Sequence, residues 1–149
     1  MAPRRPAVTL GACVEATPDS DGDAVPVRVL IAEDEANIAE ALRFILGREG
    51  YEVACVVDGE SALRRLRSDP PDVLMLDVML PGMNGFEVLK SVRADAALSA
   101  LPVVILTAKT QAQDRRLAEE LGAQAYIAKP FSNRELVDQL RRLTAARAR

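Results

Sequence analysis

Beyond Val27 the chain alternates between short aliphatic runs and longer stretches whose apolar residues recur every three or four positions. Arg28 to Ala32 reads as a strand. Ala36 to Glu49 reads as a helix with Ile38, Ala41, Leu42, Ile45 and Leu46 on one stripe, and Gly50 as its stop. Tyr51 to Val57 is a second β-branched run. Asp58 opens a helix that buries Ala62, Leu63 and Leu66 and ends at Pro70-Pro71. Val73 to Asp77 is a third strand. Gly85 to Arg93 carries Phe86, Val88, Leu89 and Val92 at helical spacing. Pro102 to Thr107 is a fourth strand. Gln111 to Leu121 is helical, with only Leu117 and Leu121 as large apolar residues. Ala125 to Ala128 is the last strand. Ser132 to Glu135 reads as a capping box before a helix that buries Leu136, Val137, Leu140 and Leu143.

Alternating strands and helices predict parallel βα units, and unbroken aliphatic strands predict a sheet covered on both faces. Right-handed crossovers then place every strand's C-terminal end along one edge, where ligands bind in folds of this kind. At those ends stand Glu33 and Asp34, Asp58, Asp77, Thr107 and Lys129. Asp58 is the exception and reads as a helix cap. The others converge. Clustered carboxylates repel one another unless a cation joins them. An all-oxygen ligand set suits Mg²⁺. A metal, an ammonium and a hydroxyl around one carboxylate are the parts that stabilise phosphoryl transfer, with Asp77 as nucleophile.

Composition narrows this reading. The 149 residues suit one domain, and 49% hydrophobic content fills a core. The chain has no histidine, so Ser-His-Asp and Cys-His catalysis, His-ligated zinc and a phosphohistidine donor are excluded within it. A net charge of -3 argues against a general nucleic-acid binder. Cys13 and Cys55 lack metal spacing and read as free thiols. No run approaches the ~18 apolar residues of a membrane span. Leu10-Gly11-Ala12-Cys13 looks like a lipoprotein box, but Pro6, Thr9 and Gly11 interrupt the apolar stretch before it, which a secretory core of about 7–15 apolar residues does not tolerate. Residues 1–26, with "ATPDSDGDAVP", are expected to form a disordered tail. The arginines of "RRLTAARAR" read as a solvated helix end complementing the helix dipole.

Four stretches, in order and at compatible spacings, resemble the receiver domain of bacterial two-component response regulators: "VLIAEDEANI", "VLMLDVMLPGMNGFEVL", "PVVILTAK" and "GAQAYIAKPF". The resemblance covers about Val27 to Leu143. It implies a flavodoxin-like doubly wound α/β fold, (βα)5, with a five-stranded parallel sheet in the order 2-1-3-4-5. Asp77 would accept phosphate from a histidine kinase or a histidine phosphotransfer protein. Glu33, Asp34, Asp77 and the backbone carbonyl of Met79 would hold Mg²⁺. Thr107 would bond the phosphoryl group and Lys129 would pair with it. Tyr126 would change rotamer as Thr107 moves, the Lys129-Pro130 bond would be cis, and the face made by the last two helices and the last strand would carry the output. Met79 and Lys109, two places after Asp77 and Thr107, are expected to tune the lifetime of the phosphorylated form.

Two features depart from the family pattern. The acidic pair is Glu33-Asp34 rather than two aspartates. Gln124-Ala125 stands where many DNA-binding members with winged-helix outputs have an acidic pair, which makes that dimer mode unexpected. The overall expectation is a cytoplasmic stand-alone receiver over residues 27–145, with residues 146–149 as its end. It would have no output domain, no enzyme activity beyond its own phosphorylation and dephosphorylation, a protein effector downstream, and no direct DNA or membrane binding. The alternatives are a receiver fragment of a longer regulator, a small aspartyl-phosphate phosphohydrolase, or an FMN carrier. Haloacid-dehalogenase-like enzymes place a second acid where Met79 stands, and Met79 cannot protonate a leaving group. Glu33-Asp34-Glu35 would repel an FMN phosphate.

Overall fold

A computed structural model describes residues 25–108 and 111–145. The strands are β1 (Arg28–Ala32), β2 (Glu52–Val56), β3 (Val73–Leu76), β4 (Val103–Thr107) and β5 (Ala125–Ala128), and the helices are α1 (Ala36–Arg48), α2 (Gly59–Ser68), α3 (Gly85–Ala94), α4 (Ala112–Glu120) and α5 (Asn133–Thr144). The strands form one parallel sheet in the order β2-β1-β3-β4-β5, as the resemblance implies. The tail expected over residues 1–26, apart from Val25 and Pro26, lies outside the described residues, as do Lys109 and residues 146–149.

Strand parity sorts the core into two layers, because successive side chains point to opposite faces. Leu30, Ala32, Leu74, Leu76, Val103 and Ile105 pack under α2, α3 and α4. Val29, Ile31, Val73, Met75, Val104, Leu106 and Ile127 pack under α1 and α5. The helices are held to these layers unequally. α5 buries Leu136, Val137 and Leu140, and α3 buries Val88, Leu89 and Val92. α4 fully buries only Ala118, with Leu117 and Leu121 half-covered. A buried leucine or valine contributes about 1.5–3 kcal/mol and one methyl group about 0.8 kcal/mol, so α4 is the most weakly anchored helix. The stripe expected on α1 is narrower than its sequence suggests. Ala41 faces solvent, and the buried positions are Leu42 and Leu46.

The caps follow local chemistry. Asp58 accepts from Ser61 N at 2.7 Å, and Ser132 accepts from Glu135 N at 3.0 Å. A reciprocal capping box forms at Asn84 and Glu87, each bond 3.1 Å. It starts α3 directly behind the β3–α3 loop. Gly85 follows at the first helical position, and its amide donates to Val78 O at 2.9 Å. A Cβ there would strike the carbonyl oxygen of Asp77 and lie 2.8 Å from Val78 Cα. Gly59 meets Met83 in the same manner, a Cβ there falling 2.8 Å from Met83 Cβ. Both glycines exist to let this loop press against the helix starts. Gly85→Ala is expected to lower stability by about 1–3 kcal/mol, the usual cost of overpacking a site that cannot yield; a urea midpoint matching the parent chain would contradict it.

Candidate functional site

The strand order reverses between β1 and β3: the chain leaves β1 for β2 on one side and returns to β3 on the other. Side chains at the C-terminal ends of β1 and β3 therefore face one crevice. The backbone just past each strand is still in the ladder. Glu33 N donates to Val56 O, and Asp77 N to Ala32 O, both at 3.0 Å. Lys129 N donates to Thr107 O at 2.9 Å. The groups at the sheet edge are thus carried by hydrogen-bonded backbone rather than by free loop.

Lys129 Nζ lies 2.8 Å from Glu33 Oε1 and 3.0 Å from Asp77 Oδ2. Glu33 is 1% exposed and Asp77 5%, so neither carboxylate could remain charged there without partners. Each has a backbone donor as well. Glu35 N donates to Glu33 Oε2 and Met79 N to Asp77 Oδ1, both at 3.1 Å. Both Asp77 oxygens are therefore engaged. Burial alone would lower the Lys129 pKa, but the bonds to Glu33 and Asp77 outweigh it and raise the value above 10.5, fixing the ammonium. Burial raises the Glu33 pKa above 4.5, against the opposing bond from Lys129.

Asp34 is exposed at the mouth of the crevice. Oxygens of Glu33, Asp34 and Asp77 lie within 4.8 Å of one another. Three carboxylates against one ammonium leave two negative charges uncompensated, and every available ligand is a hard oxygen. That donor set fits a small divalent cation such as Mg²⁺. Thr107 is fully buried at the end of β4. Its side chain shares a sheet face with Ile105, and Tyr126 on β5 pairs with Ile105 across the strands. Tyr126 packs half-buried on the α2–α4 layer, and the guanidinium carbon of Arg115 sits 4.7 Å from its ring centroid. Burial, then the Asp114 carboxylate, raises its phenol pKa above 10.0, with Arg115 opposing. Met79 projects outward, 58% exposed, while its amide holds Asp77. The Lys129-Pro130 peptide is cis, as the resemblance implies.

The sequence-predicted residues Glu33, Asp34, Asp77, Thr107 and Lys129 are thus brought to one edge, with Met79 beside them and Tyr126 two residues back along β5 from the level of Thr107. Asp58 is a cap, as its sequence context predicts. Lys109 falls outside the described residues. Sequence reasoning missed Gly85 and Gly59, whose role is steric, and Arg93, whose four acceptors on two loops carry no sequence signal. The Asn84-x-x-Glu87 spacing was a readable signal for the cap.

Residues 29–141 match the family model of the response regulator receiver domain. The DNA-binding response regulator MtrA of Mycobacterium tuberculosis is 45% identical over 119 residues, which is 80% of this chain and 51% of that protein. Among solved structures, the chemotaxis protein CheY4 of Vibrio cholerae is 31% identical at TM-score 0.75, covering 80% of this chain and 99% of that one. The receiver domain of the sensor histidine kinase PA1611 from Pseudomonas aeruginosa, with a magnesium ion coordinated in its active-site cleft, is 29% identical at TM-score 0.75, covering 81% of this chain and 99% of that one. This chain belongs to the response regulator receiver domain family of two-component signalling proteins. It spans about half the length of the curated relatives it matches. No helix among the described residues is long and apolar enough to cross a membrane.

Lys129→Met, in EDTA at neutral pH, is expected to destabilise the domain by roughly 2 kcal/mol, because Glu33 and Asp77 lose their charged donor. A buried carboxylate with a raised pKa penalises the fold when ionised and not when protonated. The deficit should therefore close as pH falls toward 4.5, the ordinary value for Glu33. Urea unfolding of both chains between pH 4.5 and 8 checks it, and a deficit independent of pH would contradict the assignment.

Proposed function

We propose that the chain is a phosphoacceptor receiver: Asp77 takes a phosphoryl group from a histidine kinase or phosphotransfer protein, and the α4-β5-α5 face passes the change to a downstream protein. The observation that carries this reading is the pair of bonds from Lys129 to Glu33 and Asp77 beside the oxygens of Asp34. The chain has no histidine, so the donor histidine must belong to a partner.

Oδ2 of Asp77, the oxygen facing Lys129, would be the nucleophile, and Oδ1 would stay with the Met79 amide. Attack on phosphorus forms the acyl phosphate as the bond to the donor nitrogen breaks. Lys129 then balances the charge on the transferred oxygens, and the Thr107 hydroxyl donates to one of them. Glu33, Asp34 and Asp77, with the Met79 carbonyl, would hold Mg²⁺, which supplies the positive charge that draws phosphate into an otherwise anionic crevice. The protein acts on no other substrate in this reading, works in the cytoplasm, and makes no DNA contact of its own. A second reading, the receiver part of a longer regulator, is favoured by the half-length match to DNA-binding relatives; the reading frame beyond codon 149 decides between the two.

Acetyl phosphate with Mg²⁺ should add one phosphoryl mass to the intact chain. Asp77→Asn should abolish the addition, and Asp34→Ala should weaken Mg²⁺ binding and slow phosphorylation together. Undiminished labelling of Asp77→Asn would refute the reading. The lifetime is a separate expectation. A water attacking the acyl phosphate in line passes the residue two places after Asp77, and the Met79 thioether cannot orient it. Met79→Asn should shorten the phosphorylated lifetime several-fold, about 1 kcal/mol in barrier; loss of the phosphoryl mass after desalting measures it, and an equal or longer lifetime rules out this role for Met79.

A further inference from the structure

Helix α4 is held very differently at its two ends. At the C-terminal end, Arg93 of α3 reaches across two loops. Its Nη1 donates to Ser99 O at 3.1 Å and Leu101 O at 2.8 Å, and its Nη2 to Gly122 O at 2.7 Å and Gln124 Oε1 at 3.0 Å. Gln124 Oε1 also accepts from Val103 N at 2.7 Å, which ties the α4–β5 turn to the start of β4. Ala123 N closes the turn on Ala118 O at 2.9 Å. That end is fixed. At the N-terminal end, Gln111 makes no side-chain capping bond, and the first turn buries no large apolar side chain. Arg115 is the side chain from this half whose cation lies over the Tyr126 ring, at 4.7 Å.

We infer that Arg115 is a positioning residue: it latches the N-terminal half of α4 onto Tyr126, with Arg93 as the pivot at the other end. The inference rests on the receiver reading above, in which the α4-β5-α5 face, where Tyr126 sits, passes the change on. The contact coexists with an Asp77 carboxylate hydrogen-bonded through both oxygens, to Met79 N and Lys129 Nζ. The latch matters because so little else holds this half of α4. With Ala118 as the helix's one fully buried side chain, a cation–π contact is comparable to the packing it supplements. Breaking the contact lets α4 swing about the Arg93 end, and the population that can accept a phosphoryl-bound arrangement grows accordingly.

The chain contains no tryptophan and two tyrosines, so Tyr51→Phe leaves Tyr126 as the sole tyrosine emitter. Tyr51 makes one side-chain hydrogen bond, to Thr144, at the 3.5 Å limit, so the change is mild. In that background, Arg115→Met removes the cation and keeps the stem, and Arg115→Lys keeps a cation. Without any ligand, Arg115→Met should speed amide exchange in residues 111–121 about two- to fivefold, the factor an exposed cation–π contact is worth, and leave residues 38–46 unchanged. Tyr126 emission should change with it, and Arg115→Lys should restore most of both. Beryllofluoride with Mg²⁺ should half-saturate Arg115→Met at a concentration about two- to fivefold lower than the parent. Unchanged exchange and emission, an Arg115→Lys chain as perturbed as Arg115→Met, or a higher half-saturation point would each overturn the latch. A parent chain that does not respond to beryllofluoride counts against the receiver reading instead, and the ligand-free exchange still decides the latch.

Discussion

The interaction on which the molecule turns is the ammonium of Lys129 set between Glu33 and Asp77. Both carboxylates are buried and have it as their charged donor, and the ammonium would lose its proton more readily without them. The three groups come from the ends of β1, β3 and β5, so one charge cluster closes the edge of the sheet across four strand positions. It does so incompletely. The surplus of two negative charges, with Asp34 open to solvent, stores an electrostatic demand that only an incoming cation satisfies. A site built for stability alone would have matched charge for charge.

Much of this was readable in the chain. Short unbroken aliphatic runs and the 3.6-residue period between them matched all five strands and helices within one or two residues. The convergence of Glu33, Asp34, Asp77, Thr107 and Lys129 followed from handed crossovers, before any contact was known. What escaped was of another kind. Ala41 lies on the expected stripe of α1 but outside its buried arc, because Leu42 and Leu46 already fill the space over Val29 and Ile31. Gly85 and Gly59 look ordinary in sequence at the starts of their helices, and only the approach of Asp77 and Met83 atoms explains them. Arg93 enters the sequence reading only as the last residue of a helix. Its four acceptors are neutral oxygens from distant loops, and burial without a carboxylate partner lowers its pKa. Such a role has no pattern in sequence, since carbonyl acceptors are present at every residue.

Rigidity and looseness are unevenly distributed. The loop after β3 is pressed between two glycines and a two-way cap, which holds Asp77 in place. One layer away, α4 contributes a single buried alanine. Burial of one leucine more, at about 1.5–3 kcal/mol, would fasten that helix and silence any movement there. The same sheet therefore carries a fixed centre and a yielding rim, separated by the width of β4.

The neutral shell around Arg93 has a consequence for the conditions under which the protein works. Ion pairs weaken as salt screens them and fail when their acid protonates. A guanidinium held by three backbone carbonyls and an amide oxygen has no partner that titrates and no opposing charge for counterions to shield. The end of α4 anchored this way keeps its place through swings of ionic strength and acidity that would loosen a surface ion pair.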